Sequence, residues 1–256
     1  MYVLIIVLFI TVSMFVLIKQ MKKESFFPER MNVEKQVSPY VINLKKNEDR
    51  MTNFRKSYNS TDLGALLPVQ RFEAVNGNNI QLEKYTTSQV LLGIQLIDAT
   101  NQRTSNDQLT KGMIGCYLSH LGVYEHAIKS SKKYALVFED DATLSRDIYK
   151  SIKKIIYNDR NVPKNWDIIL FGLIENDVRD YNSEYKIVKD FYGTHGYLIT
   201  RKAMKLLLST LPIERQIDAQ LVKFVKDNKL KIYSVTPQKV NVANFGSDLQ
   251  MVVTDL

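Results

Sequence analysis

Tyr134-Ala135-Leu136-Val137-Phe138-Glu139-Asp140-Asp141 runs from a short apolar stretch straight into three consecutive carboxylates. The apolar part predicts a strand buried on both faces, as in a parallel sheet covered by helices. The triplet then lies at the strand's carboxyl end, where ligands of open α/β sheets bind. Side chains alternate along an extended chain, so Glu139 and Asp141 point one way and Asp140 the other. Left unpaired at pH 7, three such carboxylates repel one another. A divalent cation removes that cost. Magnesium is usually held by one or two carboxylates plus substrate phosphates, and manganese accepts similar ligands. The triplet therefore predicts a metal–diphosphate site; the alternative is a solvated acidic turn capping the next helix.

The same alternation extends to both sides. Pro39–Leu44 reads as a first buried strand, with Asn47 capping a helix over 48–58. Val69–Val75 reads as a second strand ending at the turn signal Asn76-Gly77. Residues 78–109 are polar and irregular, with a helix near 87–97. Thr110 is placed to cap a helix to about Ser130, in which Ile114, Leu118 and Leu121 recur at helical spacing. After the triplet, Ser145 opens a helix to Tyr157 with Ile148, Ile152, Ile155 and Ile156 on one side. Strands follow at 168–171, 197–199 and 230–235, with helices over 201–208 and 213–225, and 173–190 reads as irregular. Strand–helix alternation predicts an α/β fold with a mostly parallel sheet and helices on both faces.

The chain has 256 residues, 45% hydrophobic and 24% charged, which excludes a wholly disordered protein. Its single cysteine, Cys116, excludes an internal disulfide framework and a Cys-rich zinc site. The net charge of +8 comes from scattered lysines without a recognition-helix or zinc motif, so no nucleic-acid partner is expected. Met1–Ile18 carries no charged side chain. As a helix it would be roughly 27 Å long, enough for a bilayer core, so a single-pass membrane anchor is expected there. Lys19, Lys22 and Lys23 follow and favour a cytosolic body. Residues 19–38 read as a linker and 39–256 as the catalytic domain.

Several short stretches carry a resemblance. Tyr40-Val41-Ile42-Asn43-Leu44 followed by Arg50, then Phe72-Glu73-Ala74-Val75-Asn76-Gly77, open the chain in order. Gly115-Cys116-Tyr117-Leu118-Ser119-His120-Leu121 and Phe138-Glu139-Asp140-Asp141 follow. Gly193-Thr194-His195-Gly196-Tyr197-Leu198-Ile199 and Ile217-Asp218 close the set. Together these resemble glycosyltransferase family 25, which includes lipooligosaccharide β-galactosyltransferases and procollagen galactosyltransferase domains. Two departures stand out: Met113 where the family usually has Glu, and Gly196 where it usually has Ala. The first would weaken acceptor binding or positioning if that Glu takes part in it.

The resemblance implies a GT-A fold and inverting transfer of a hexose, galactose or glucose, from a UDP-sugar. The acceptor would be a hydroxyl of a glycan, lipooligosaccharide or protein. It places a Mn2+ or Mg2+ ion on Asp141, with Glu139 second, and lets Asp140 face the sugar. An inverting displacement also needs a base for the acceptor hydroxyl proton, and Asp218 is the first candidate; otherwise it is a charge favoured by a helix N-terminus. Asn43 and Arg50 are candidates for the nucleotide and diphosphate, and Asn76 and Gly77 for the nucleotide pocket. His195 reads as a metal or diphosphate contact or as a structural histidine. His120 reads first as a packing residue and second as a donor or acceptor contact. Cys116 reads as a small buried hydrophobe. The competing function is a catalytically inactive, glycosyltransferase-like binding module.

Overall fold

The computed structural model describes residues 33–243 and Phe245. The expected anchor, 1–18, and residues 19–32 of the expected linker lie outside them. Among the described residues no helix is long and apolar enough to cross a membrane. The fold begins earlier than expected. Val33–Gln36 is one turn of helix (α1) with Val33 buried, and it leads directly into β1, Val37–Asn43. Residues 33–38 thus belong to the domain and not to a linker.

The elements then follow as α2 (Glu48–Asn59), α3 (Asp62–Leu66), β2 (Gln70–Glu73), α4 (Ser88–Thr100) and α5 (Lys111–Lys129). After these come β3 (Tyr134–Glu139), β4 (Ala142–Leu144), α6 (Ile148–Ile156), β5 (Ile168–Asp180) and β6 (Tyr185–Thr200). The last are α7 (Arg201–Leu208), α8 (Ile217–Lys226), β7 (Ile232–Val235) and β8 (Val240–Val242). Thr87, Thr110 and Thr200 cap their helices through their hydroxyls. Asn47 occupies the cap position of α2 without a side-chain cap bond, and the cap of α6 is Asp147, not Ser145.

One six-stranded sheet runs in the order β2-β1-β3-β6-β5-β7, and β4 with β8 makes a small second sheet. Helices cover both faces, as the alternation predicts. In β3, Ala135 and Val137 pack on the α4–α5–α7–α8 side, whereas Leu136 and Phe138 pack on the α2–α3–α6 side. That two-sided burial explains the unbroken apolar run.

The expectation of a mostly parallel sheet is corrected. β1 is parallel to β2 and β3, and β5 to β7, but β6 is antiparallel to β3 and to β5. The cause is a long β5–β6 hairpin that takes in the stretch 173–190, to which the sequence assigns no strand. The outer part of β5 is exposed, and its pairing with β6 is bulged, so the hairpin shows neither a continuous apolar run nor clean alternation. Its turn is organised by the Asn182 carboxamide oxygen, which accepts the Glu184 and Tyr185 N–H groups.

β8 packs across the sheet at Gly172 of β5 and Gly196 of β6. A Cβ on Gly172 would lie 2.3 Å from the Val240 carbonyl oxygen. At Gly196 it would lie 2.9 Å from Val240 Cγ2 and 3.1 Å from Phe138 Cδ1. The departure at Gly196 therefore has a packing reason in this chain. Past β8, Ala243 N–H donates to the Asp141 carbonyl at 2.8 Å and ties the crossing strand to the acidic triplet.

Gly172→Ala is expected to cost about 1–3 kcal/mol, because backbone atoms must move to admit the methyl. Gly93→Ala, which meets nothing within 4 Å in α4, is expected to stabilise by about 0.5–1 kcal/mol. Urea unfolding of both variants checks the pair; a destabilised Gly93→Ala or a neutral Gly172→Ala would contradict the packing described.

Candidate functional site

The carboxyl ends of β1 and β3, the loop after β2 and one face of α5 enclose a cleft of about 290 Å³. Its wall includes Arg50, Asn76, Gly77, His120, Glu139 and Asp141. Asp140 and Cys116 also reach it, and Phe245 closes one side. Asn43, His195 and Asp218 stand behind this wall and connect to it through bonded partners.

The loop after β2 owes its position to α5. A Cβ on Gly77 would overlap the Lys111 carbonyl, and one on Gly115 would lie 2.5 Å from the Val75 carbonyl oxygen. Both residues must be glycine for loop and helix to approach this closely. Ser119 Oγ accepts the Val75 N–H at 2.8 Å and donates to the Gly115 carbonyl at 2.7 Å. Six consecutive helical residues thus assign four jobs: Gly115 admits the loop, Cys116 faces the cleft, Ser119 anchors the loop, and His120 reaches under Glu139.

The three carboxylates part as the strand period predicts. Asp140, only 7% exposed, accepts from Asn43 Nδ2 at 2.6 Å and pairs with Arg50 NH1 at 3.5 Å. Burial pushes its pKa up, against the opposing pull of Asn43 and Arg50. Arg50 is itself held under the Phe245 ring, 5.5 Å from its centroid. Asp140 therefore faces the Asn43–Arg50 side, not the side of Glu139 and Asp141.

Glu139 and Asp141 share the other side with two histidines. Thr194 Oγ1 donates to Glu139 Oε1 at 2.6 Å, and His120 Nε2 lies 3.6 Å from the same oxygen. His195 Nδ1 lies 3.7 Å from Glu139 Oε2 and 3.8 Å from Asp141 Oδ1. Burial would raise the Glu139 pKa, but both histidines outweigh it and hold this carboxyl well below its ordinary range. Asp141 moves the opposite way, pushed up to about 6 by burial and by the Glu139 charge. His195 is raised, because Glu139, Asp141 and Asp218 outweigh the burial that would lower it.

Asp141 Oδ1 and both ring nitrogens of His195 are buried without a hydrogen-bond partner among the described residues. Buried polar atoms of this kind call for a ligand. One ligand atom each from Glu139, Asp141 and His195 lies within 4.8 Å of the others. An imidazole and two carboxylates, mutually close and partnerless at two of three members, fit a divalent cation of the manganese or magnesium class.

Asp218 lies in the first turn of α8, half-buried. Its Oδ2 accepts the Gly193 N–H at 3.0 Å and its Oδ1 the Ala219 N–H at 2.7 Å. Burial raises its pKa in spite of these bonds. Gly193 adopts φ +83° there, and a Cβ would collide with the His195 ring. The Gly193–His195 turn thereby joins Asp218 to the histidine of the cation set.

His120 is fully buried, as packing predicts, yet it also contacts Glu139. Its Nδ1 is hydrogen-bonded to Tyr197 Oη at 2.7 Å, and Tyr197 Oη to Tyr124 Oη at 2.6 Å. Cys116 is half-buried, and its thiol pKa is raised by burial and then by Glu139, which leaves it a poor nucleophile. Met113 does not line the cleft. It is buried, and its sulfur accepts the Thr110 N–H at 3.4 Å while Thr110 Oγ1 accepts the Met113 N–H. That reciprocal pair is a capping box with sulfur in place of a carboxylate. The departure at this position accordingly touches a helix cap rather than the cleft.

Thr194, Tyr197, Tyr124 and Ser119 act on the site without having been singled out as site residues. Three of them sit inside the recognised stretches, so the signal was present at segment level. Tyr124 and Phe245 carry no local signal; only the packed fold brings them in.

The chain matches the family described as Glycosyltransferase family 25 (LPS biosynthesis protein) over residues 36–221. A glycosyltransferase 25 family member from Anopheles gambiae is 30% identical over 181 residues, 69% of this chain and 29% of the relative. Procollagen galactosyltransferase 2 of Homo sapiens is 24% identical over 232 residues, 82% of this chain and 35% of the relative. A Rattus norvegicus protein named probable inactive glycosyltransferase 25 family member 3 is 24% identical over 185 residues, 70% of this chain and 31% of the relative. The chain spans about a third of the length of these curated relatives.

Removing the Ser119 hydroxyl leaves the half-buried Val75 N–H unpaired. Ser119→Ala is expected to cost about 1–3 kcal/mol in urea unfolding. An unchanged midpoint would mean that the loop is anchored some other way.

Proposed function

This chain belongs to glycosyltransferase family 25, and from that premise we propose that it transfers a hexose from a UDP-sugar to a hydroxyl acceptor. The hexose is galactose or glucose, transfer inverts the anomeric carbon, and the fold is of the GT-A type. The acceptor is a hydroxyl of a glycan, lipooligosaccharide or protein, and the apolar run 1–18 anchors the enzyme at a membrane beside it. The observation that carries this reading is the set of Asp141 Oδ1 and His195 nitrogens without hydrogen-bond partners beside Glu139, where Glu139 and Asp141 line the cleft and His195 stands behind them.

Glu139, Asp141 and His195 would hold Mn2+ or Mg2+. When bound, such an ion supplies positive charge where the departing diphosphate gains negative charge. The remaining tasks fall to the chain itself. Arg50, held by Asp140 and Phe245, presents a second positive charge at the cleft wall. Asn76 and Gly77 shape the nucleotide pocket, with Asn43 fixing Asp140 beneath it. Asp218 takes the proton of the attacking hydroxyl; its raised pKa brings it nearer neutrality, where a general base works best. The Gly193 N–H orients that carboxylate and links it to the His195 turn.

A catalytically inactive binding module is the second reading, favoured by the name of the rat relative. Met113 gives it little support, since its contacts are those of a helix cap.

The full chain, incubated with UDP-galactose or UDP-glucose and Mn2+, is expected to release UDP in a chelator-sensitive manner. Asp141→Ala should reduce release to background while circular dichroism stays unchanged. Asp218→Asn should lower kcat by about 10²–10⁴-fold with Mn2+ affinity retained. Wild-type turnover in a folded Asp141→Ala variant would sink the proposal. No release from any donor by the folded wild type would favour the binding module.

A further inference from the structure

Glu139 turns its two oxygens towards two different sets of side chains. Oε2 faces His195, the set assigned above to the diphosphate-binding cation. Oε1 faces His120 Nε2 at 3.6 Å. Cys116 completes this second set, with one ligand atom each of Cys116, His120 and Glu139 lying within 4.8 Å of the others. We propose that Cys116, His120 and Glu139 Oε1 form a second seat for a zinc-class cation, and that filling it inhibits the enzyme.

The donor chemistry sets this seat apart. Thiolate plus imidazole plus carboxylate suits zinc and cobalt, whereas magnesium and manganese prefer oxygen. Cys116 and His120 are four residues apart on α5 and so lie on one face. Tetrahedral bonds of about 2.0–2.3 Å put ligand atoms roughly 3.3–3.8 Å apart, and the His120–Glu139 separation already falls there. His120 has the outer support usual for a metal-bound imidazole. Tyr197, itself bonded to Tyr124, fixes Nδ1 and keeps Nε2 aimed at Glu139. The fourth position opens to the cleft, where Cys116 and His120 both line the wall, which leaves it accessible to solvent. As the sulfur–metal bond forms, the thiol proton passes to solvent and no oxidation state changes.

Inhibition follows from Glu139 being common to both sets. A dication at Oε1 draws on the negative charge of the carboxylate that the other cation needs, and so weakens the binding of that cation. The seat stands on its own geometry; the inhibition rests on the function proposed above.

Cobalt tests the seat without reference to activity. Co2+ added to the full chain is expected to give a near-ultraviolet thiolate-to-cobalt charge-transfer band. The band should vanish in Cys116→Ala and persist in Asp141→Ala, both shown to be folded by circular dichroism. Absence of the band from the wild type overturns the proposal. Its loss in folded Asp141→Ala overturns it too, by assigning the thiolate to the first set. In the UDP-release assay, the zinc concentration for half-inhibition should rise on the order of tenfold or more in Cys116→Ala, each protein referred to its own zinc-free rate. Equal zinc sensitivity would overturn the inhibitory role. If no donor is turned over, the proposed activity fails while the cobalt band still decides the seat.

Discussion

Mutual repulsion among Glu139, Asp140 and Asp141 is the constraint around which the site end of this fold is arranged. Asp140 is turned away and neutralised by Asn43 and Arg50. Glu139 is held charged by Thr194 and two histidines. Asp141 is left with its carboxyl raised to about 6 and one oxygen bare. Each solution draws on a different part of the chain: β1 and α2 for Asp140, α5 and β6 for Glu139, and the tail beyond β8 for the backbone of Asp141. A stretch of eight residues thus recruits contacts from most of the sheet.

Glycines make that convergence possible. Gly77 and Gly115 let the cleft wall lie directly on α5, and Gly172 and Gly196 let β8 cross the sheet close enough to hold Asp141. Packing and chemistry are coupled at these points, because a side chain added at any of them would collide with the loop after β2, with α5, or with Val240 of β8. Family membership and the whole-chain activity stand on different ground: the first is shown by a match over most of the domain, whereas the match covers only about a third of the curated relatives' own length.

Much of this was legible in the sequence where the pattern was local. The buried strand ending in carboxylates, the opposed directions of Asp140 and its neighbours, and the threonine cap of α5 follow from period and residue type. The antiparallel course of β6 was not legible, since a bulged hairpin whose β5 strand is largely exposed in its outer half carries little hydrophobic period. Nor was the reach of Tyr197 and Tyr124 through His120 to Glu139, which depends on long-range packing. His120 shows the limit well: helical spacing marks it as a packing residue, and only the fold reveals that the buried ring also touches a carboxylate of the site.

The account turns on whether the Glu139–Asp141–His195 set holds a divalent cation that in turn holds a diphosphate. Electron paramagnetic resonance of free Mn2+, titrated with the full chain with and without UDP, tests this most directly. The account predicts one Mn2+ bound per chain and tighter binding when UDP is present, by the reciprocity of linked ligands. A folded chain that leaves the free Mn2+ signal untouched, with or without UDP, would contradict it.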